Sequence, residues 1–153
     1  MKKLRVAIIG AGQVARASHI SNYQSLEEVD LVAICDTNGD VANSVAKQYQ
    51  IPYSFENHLE MLDKVKPDAV SICVPNKYHC QITYDALERG CHVLCEKPPA
   101  ITVQEAERMK QKAKEHNRIL TFGFHFRYGQ NVTILKDLIQ GGEFGEIPDV
   151  VLQ

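Results

Sequence analysis

Gly10-Ala11-Gly12-Gln13-Val14-Ala15 follows the apolar run Leu4-Arg5-Val6-Ala7-Ile8-Ile9 and opens into a helix-like stretch. A strand, a glycine turn and a helix in that order form the start of a dinucleotide pocket. Gly10 permits the sharp turn, Gly12 lets backbone N–H groups approach a pyrophosphate, and Ala15 is small enough for helix and strand to pack closely. Gln13 and Val14 stand at the helix start, where the partial positive charge of the helix N-terminus faces the phosphates.

A glycine turn alone also describes many ordinary strand-to-helix junctions. What changes its meaning is Asp36, which ends a second apolar run, Leu31-Val32-Ala33-Ile34-Cys35, where a ribose-binding acid belongs. A carboxylate there accepts hydrogen bonds from ribose hydroxyls but repels a 2′-phosphate. The neighbours Thr37, Asn38, Gly39 and Asp40 include no Arg or Lys to clamp that phosphate, so NAD is expected over NADP. The plainer alternative is that Asp36 caps the next helix.

The chain has 153 residues, 44% of them hydrophobic, enough to bury one core, and a formal net charge of −2 with Lys and Glu intermixed. No basic face is offered to a phosphate backbone, so nucleic acid is not an expected partner. Met1-Lys2-Lys3 precedes only a strand's length of apolar residues, not a signal peptide, and no run reaches membrane-spanning length. Cys35, Cys73, Cys80, Cys91 and Cys95 form no Cys-x-x-Cys pair and read as reduced cysteines of a cytoplasmic protein. Cys91 and Cys95 would stand about 13 Å apart on one strand face, too far to share a zinc ion, so no metal site is expected.

Strand-length apolar runs recur at Leu4 to Ile9, Leu31 to Cys35, Ala69 to Val74, His92 to Cys95 and Ile119 to Phe124. Helix-like segments alternate with them: Val14 to Leu26, Val41 to Tyr49, Leu59 to Val65, Tyr78 to Arg89 and Val103 to His116. The alternation predicts an α/β fold with a doubly wound parallel sheet, helices on both faces. Gly90 marks a helix end, Thr102 and Glu105 have capping-box spacing, and Ile51-Pro52-Tyr53-Ser54-Phe55 reads as a short edge strand. Residues 1–126 are expected to form the dinucleotide-binding domain. Residues 127–153 hold a closing helix, Asn131 to Ile139, a turn-rich stretch and the start of a strand at Asp149-Val150-Val151-Leu152, as if leading to an absent second domain.

Ligands of such sheets bind at the C-terminal strand ends, so Val74-Pro75-Asn76-Lys77-Tyr78-His79 and Cys95-Glu96-Lys97-Pro98-Pro99 should border the same crevice. With these segments in view the chain resembles the nucleotide-binding half of the Gfo/Idh/MocA family, the relatives of glucose-fructose oxidoreductase and myo-inositol dehydrogenase. The family's glycine motif matches Gly10, Gly12 and Ala15, its acidic strand end Asp36, its Thr-Pro-Asn-x-x-His loop Pro75, Asn76 and His79 with Val74 in place of threonine, and its Glu-Lys-Pro motif Glu96, Lys97 and Pro98. Gly123-Phe124-His125-Phe126-Arg127 and Gly145-Glu146-Ile147 resemble later family segments; Pro99 departs from it.

The resemblance implies a Rossmann domain in which Lys97 is catalytic, assisting proton transfer from a substrate hydroxyl as hydride leaves for nicotinamide. An amine serves as such a base only where burial or nearby positive charge disfavours its ammonium form. Glu96 is implied near the nicotinamide end, Pro75 and Asn76 along the dinucleotide, and His79 at a helix start beside them. Arg127 would line the crevice or brace a domain junction. His19 reads as a helix-surface histidine before a substrate-facing one.

The implied function is an NAD-dependent oxidoreductase acting on a sugar, polyol or other small hydroxylated substrate, homo-oligomeric at full length. With the partner domain absent, this piece is expected to bind NAD and turn over little. The alternatives are an NAD-dependent glycoside-cleaving enzyme of the same family and a non-catalytic NAD-sensing module.

Overall fold

Leu4–Ile9 (β1) is buried from Val6 onward, as an apolar run must be when helices cover both faces of its sheet. In the computed structural model, which describes residues 2–149, it lies at the centre of six parallel strands. The others are β2 Val29–Cys35, β3 Tyr53–Phe55, β4 Ala69–Ile72, β5 His92–Cys95 and β6 Leu120–Phe122, in the order β3-β2-β1-β4-β5-β6. The chain winds outward from β1 to β3, then returns to the other side of β1 at β4. That reversal opens a crevice at the carboxyl ends of β1 and β4.

The helices are α1 Ile20–Gln24, α2 Gly39–Gln48, α3 His58–Val65, α4 His79–Glu88 and α5 Val103–Glu115. A π-helical turn, Ala15–His19, runs into α1, and a 3-10 turn, Asn76–Tyr78, into α4. Asn38 and Asn57 cap α2 and α3 with their side chains, and Thr102 and Glu105 form the expected capping box on α5. One core layer joins Ala7, Ile9, Val70, Ile72 and Val93 to Met61, Leu62 and Met109; the other joins Ile8 and Ile34 to Ala15, Ile20 and Val45. Truncating any large member, Ile8→Ala for example, costs about 2–5 kcal/mol.

Register sets the functional rim. Ile9 pairs with Cys35 and with Ile72, Cys35 with Phe55, Ile72 with Cys95, and Cys95 with Phe122. The residues that follow these aligned ends, namely Gly10, Asp36, Glu56, Cys73, Glu96 and Gly123, therefore share one edge of the sheet. β4 stops at Ile72, before the expected Val74, because Cys73 and Val74 leave the ladder to cross over Gly10.

The chain divides into two units, Met1–Gly123 and Phe124–Gln153. The second carries a 3-10 turn, His125–Tyr128, and α6, Gln130–Gln140, whose apolar residues Val132, Ile134 and Leu135 are exposed. The strand expected at Asp149 to Leu152 lies, from Val150 on, outside the described residues. No helix among the described residues is long and apolar enough to cross a membrane.

Candidate functional site

Two glycines shape the turn after β1 for different reasons. Gly10 has φ +97°, and a Cβ on it would stand 2.5 Å from the Cys73 carbonyl oxygen, so the crossing of the β4 loop excludes any side chain. A Cβ on Gly12 would meet nothing within 4 Å. Its bareness leaves open space above the turn, while Ala11 and Ala15 on either side are fully buried.

Asp36 closes onto this turn. Its Oδ2 accepts the Ala11 N–H at 2.9 Å and its Oδ1 accepts the Asn38 N–H at 3.0 Å. The cap of α2 is Asn38, not Asp36, so the carboxylate is held by backbone donors with lone pairs to spare.

A cleft of about 480 Å³ opens beside them, walled by Gly10, Gly12, Asp36, Thr37, Val74 and Pro75, and also by Glu56, His58 and Tyr78. Glu56 and His58 carry no motif in the sequence and are brought in by the parallel pairing of β2 with β3, while Tyr78 comes with the Asn76–Tyr78 turn. None of the residues walling the cleft is Lys or Arg, and two carboxylates, Asp36 and Glu56, lie on its wall. Asp85 accepts from both His58 and Gln81, at 2.8 and 3.0 Å. A larger hollow of about 650 Å³ sits at the opposite, amino ends of the strands, by Leu4, Asp68 and Arg118. Volume therefore does not choose the site; strand polarity does.

Gln13, Val14, Asn76, Glu96 and Lys97 do not wall this cleft. Gln13 and Val14 are exposed at the helix start, Asn76 is half-buried, and Lys97 is exposed with its N–H donated to Glu96 Oε2 at 3.1 Å. The Lys97–Pro98 peptide is cis. His79 is 1% exposed, with Nδ1 2.8 Å from the Pro98 carbonyl and Nε2 2.9 Å from that of Val74. Its ring thus ties together the two loops that hold Pro75 and Lys97.

His19 is not on the helix surface as expected. It is 9% exposed, turned inward by the π-helical turn, with Nε2 2.8 Å from Glu96 Oε1 and Nδ1 3.3 Å from Ser71 Oγ. An α-periodic reading cannot see this, because the extra residue in the turn shifts the helix phase. Cys73, by the cleft, has its thiol pushed up to about 12 by burial, with the Glu96 carboxylate adding to the effect, and is a poor nucleophile. Arg127 lies in the second unit, on its 3-10 turn.

Sheet order, crevice and glycine turn define a doubly wound nucleotide-binding type of α/β domain. Residues 4–124 match GFO_IDH_MocA, the oxidoreductase family with an NAD-binding Rossmann fold, and the chain belongs to that family. It is 43% identical over 144 residues to D-glucoside 3-dehydrogenase of Escherichia coli (strain K12), an overlap of 94% of this chain and 41% of that protein. Among solved structures it is similar to scyllo-inositol dehydrogenase from Lactobacillus casei with bound NAD(H) and scyllo-inositol, at TM-score 0.88 and 26% identity, over 95% of this chain and 43% of that one. It is also similar to a mutant 3-ketoreductase from Actinomadura kijaniata in complex with TDP-benzene and NADP, at TM-score 0.89 and 25% identity, over 95% and 46% of the two chains. The chain spans about two fifths of the length of these relatives.

Proposed function

We propose that these residues are the nucleotide-binding domain, taken as residues 1–126 with residues 127–153 leading onward, of an NAD-dependent oxidoreductase acting on a sugar or polyol. The observation that carries the reading is the join of Asp36 to the glycine turn beside a cleft walled by carboxylates and free of Lys and Arg. The cleft has the size of a small-ligand site, and bare Gly12 leaves backbone room for a pyrophosphate. Asp36 would hold the adenosine ribose, with Glu56 adding to the charge that turns away a 2′-phosphate; NAD is preferred over NADP on that ground.

Gly10, Gly12, Gln13, Val14, Ala15, Pro75, Asn76 and Glu96 would frame the dinucleotide, and His79 would fix the two loops over it. Nicotinamide, when bound, accepts or returns a hydride. Lys97 is the catalytic residue: with the positive charge of oxidised nicotinamide beside it disfavouring the ammonium form, its amine would take the proton of the substrate hydroxyl. The five free cysteines fit a reducing, cytoplasmic setting. Similarity to a glucoside dehydrogenase favours net oxidation over glycoside cleavage.

Calorimetric titration with NAD and NADP tests the binding half, with NAD the tighter ligand. In the longer protein, Lys97→Ala should abolish NADH formation from methyl glucosides or inositols while NAD still binds. Tighter NADP, or full turnover by K97A, overturns the reading.

A further inference from the structure

Four polar side chains, those of His19, Tyr23, Ser71 and Glu96, meet at the carboxyl end of β4 and β5, and only Glu96 among them lies in a sequence motif. Ser71 is fully buried in a strand otherwise apolar, Ala69–Ile72. Its hydroxyl stands 2.6 Å from the Tyr23 hydroxyl and 3.3 Å from His19 Nδ1. The far side of the imidazole, Nε2, is 2.8 Å from Glu96 Oε1, and Oε2 of that carboxylate accepts the Lys97 N–H. Gly123 completes the enclosure, since a Cβ there would fall 2.9 Å from Glu96 Oε1.

The donors and acceptors run in one direction. A carboxylate only accepts, so a ring hydrogen sits on Nε2; in the neutral imidazole Nδ1 then accepts from Ser71, and Ser71 accepts from Tyr23. Burial and π-turn geometry hold this chain of bonds in place, while an apolar filling of the same space would avoid the desolvation of imidazole and carboxylate. The sheet's polarity gives the arrangement a use. Asp36 stands at the β2 side of the switch point and Glu96 at the β5 side, so a dinucleotide with its ribose on Asp36 carries its other half toward Glu96.

We propose that His19 is the positioning residue of the nicotinamide half of the site: it fixes the Glu96 carboxylate, and through it the backbone of Lys97, by a hydrogen-bond chain anchored on Ser71 and Tyr23. The proposal rests on the nucleotide-binding reading above. It is tested with two probes: ADP-ribose, which lacks nicotinamide, and NADH, whose ring fluorescence reports its surroundings.

Wild type should bind both. H19L should hold ADP-ribose within about threefold while losing about tenfold or more in NADH affinity, together with the fluorescence shift on binding. H19Q, whose amide donates from nearly the same place as Nε2, should recover most of the loss. Ser71→Ala frees only Nδ1 and should give the same split on a smaller scale; it serves where H19L does not fold. NADH bound by a folded H19L as tightly as by wild type overturns the proposal and leaves the nucleotide reading standing. Equal weakening of both probes assigns His19 to the fold alone and also overturns it. Wild type that binds neither probe overturns the nucleotide reading, and the proposal with it.

Discussion

Asp36 and Ala11 stand 25 residues apart in sequence and are joined by one hydrogen bond, Ala11 N–H to Asp36 Oδ2 at 2.9 Å. The tip of β2 thereby grips the turn after β1, and a single carboxylate both sets the loop and carries the charge of the proposed ribose site. The two roles separate by substitution. Asp36→Asn keeps an acceptor for Ala11 but loses the charge and the bond from Asn38, so its melting temperature should fall less than that of Asp36→Ala while the NADP-to-NAD affinity ratio rises about tenfold. Asp36→Ala loses both, and should lower the melting temperature and NAD affinity together. Calorimetry beside thermal melts reads both.

Gly10 and Gly12 differ in what a methyl group would meet. At Gly10 it meets the Cys73 carbonyl at 2.5 Å on a backbone with φ +97°; at Gly12 it meets nothing within 4 Å. Gly10→Ala should cost about 3 kcal/mol of stability, from strain and clash together. Gly12→Ala should melt as wild type does yet bind NAD at least about tenfold more weakly, because its methyl would stand on the proposed path of the pyrophosphate. Equal effects of the two substitutions on melting would contradict this division of roles.

The pattern of apolar runs and glycines was enough to read the winding of the sheet, because both are local signals. β1 and β5 match their expected bounds, and Tyr53–Phe55 takes the edge position that Pro52 foreshadows. The place of Asp36 beside the glycine turn was legible because the next strand's end has a fixed neighbour in this topology. Glu56 and His58 were not, since only the pairing of β2 with β3 brings their loop to the cleft. His19 was misjudged because a π-helical turn obeys neither helical nor strand period, and Ser71 and Tyr23 acquire meaning only through it.

His79 holds two carbonyls at once, those of Val74 and Pro98. His79→Leu keeps the apolar bulk and removes the imidazole that bridges the two carbonyls, which should cost about 1–2 kcal/mol. The loss should be local as well as global. Hydrogen–deuterium exchange should speed up in residues 74–78 and 96–99 and stay unchanged in β1 and β2. Uniform acceleration across the sheet would mean that His79 does not couple the two loops.

Alkaline pH should weaken the fold through its buried thiols. Cys35, Cys73 and Cys95 are each pushed up to about 12 and Cys91 to about 11, burial being the largest cause for all four. An unfolded thiol gives up its proton near 9.0, its ordinary value. Above that pH the unfolded chain binds fewer protons than the folded one, so stability present below about pH 9 drains away as pH climbs toward 12. Urea midpoints should therefore be level near pH 8 and fall steadily beyond pH 9. The same burial predicts that a thiol reagent at about pH 8 labels these four cysteines slowly in the native chain and fast in urea. Equal labelling rates in the two states would show that the thiols are not shielded, and the alkaline loss should then be absent too.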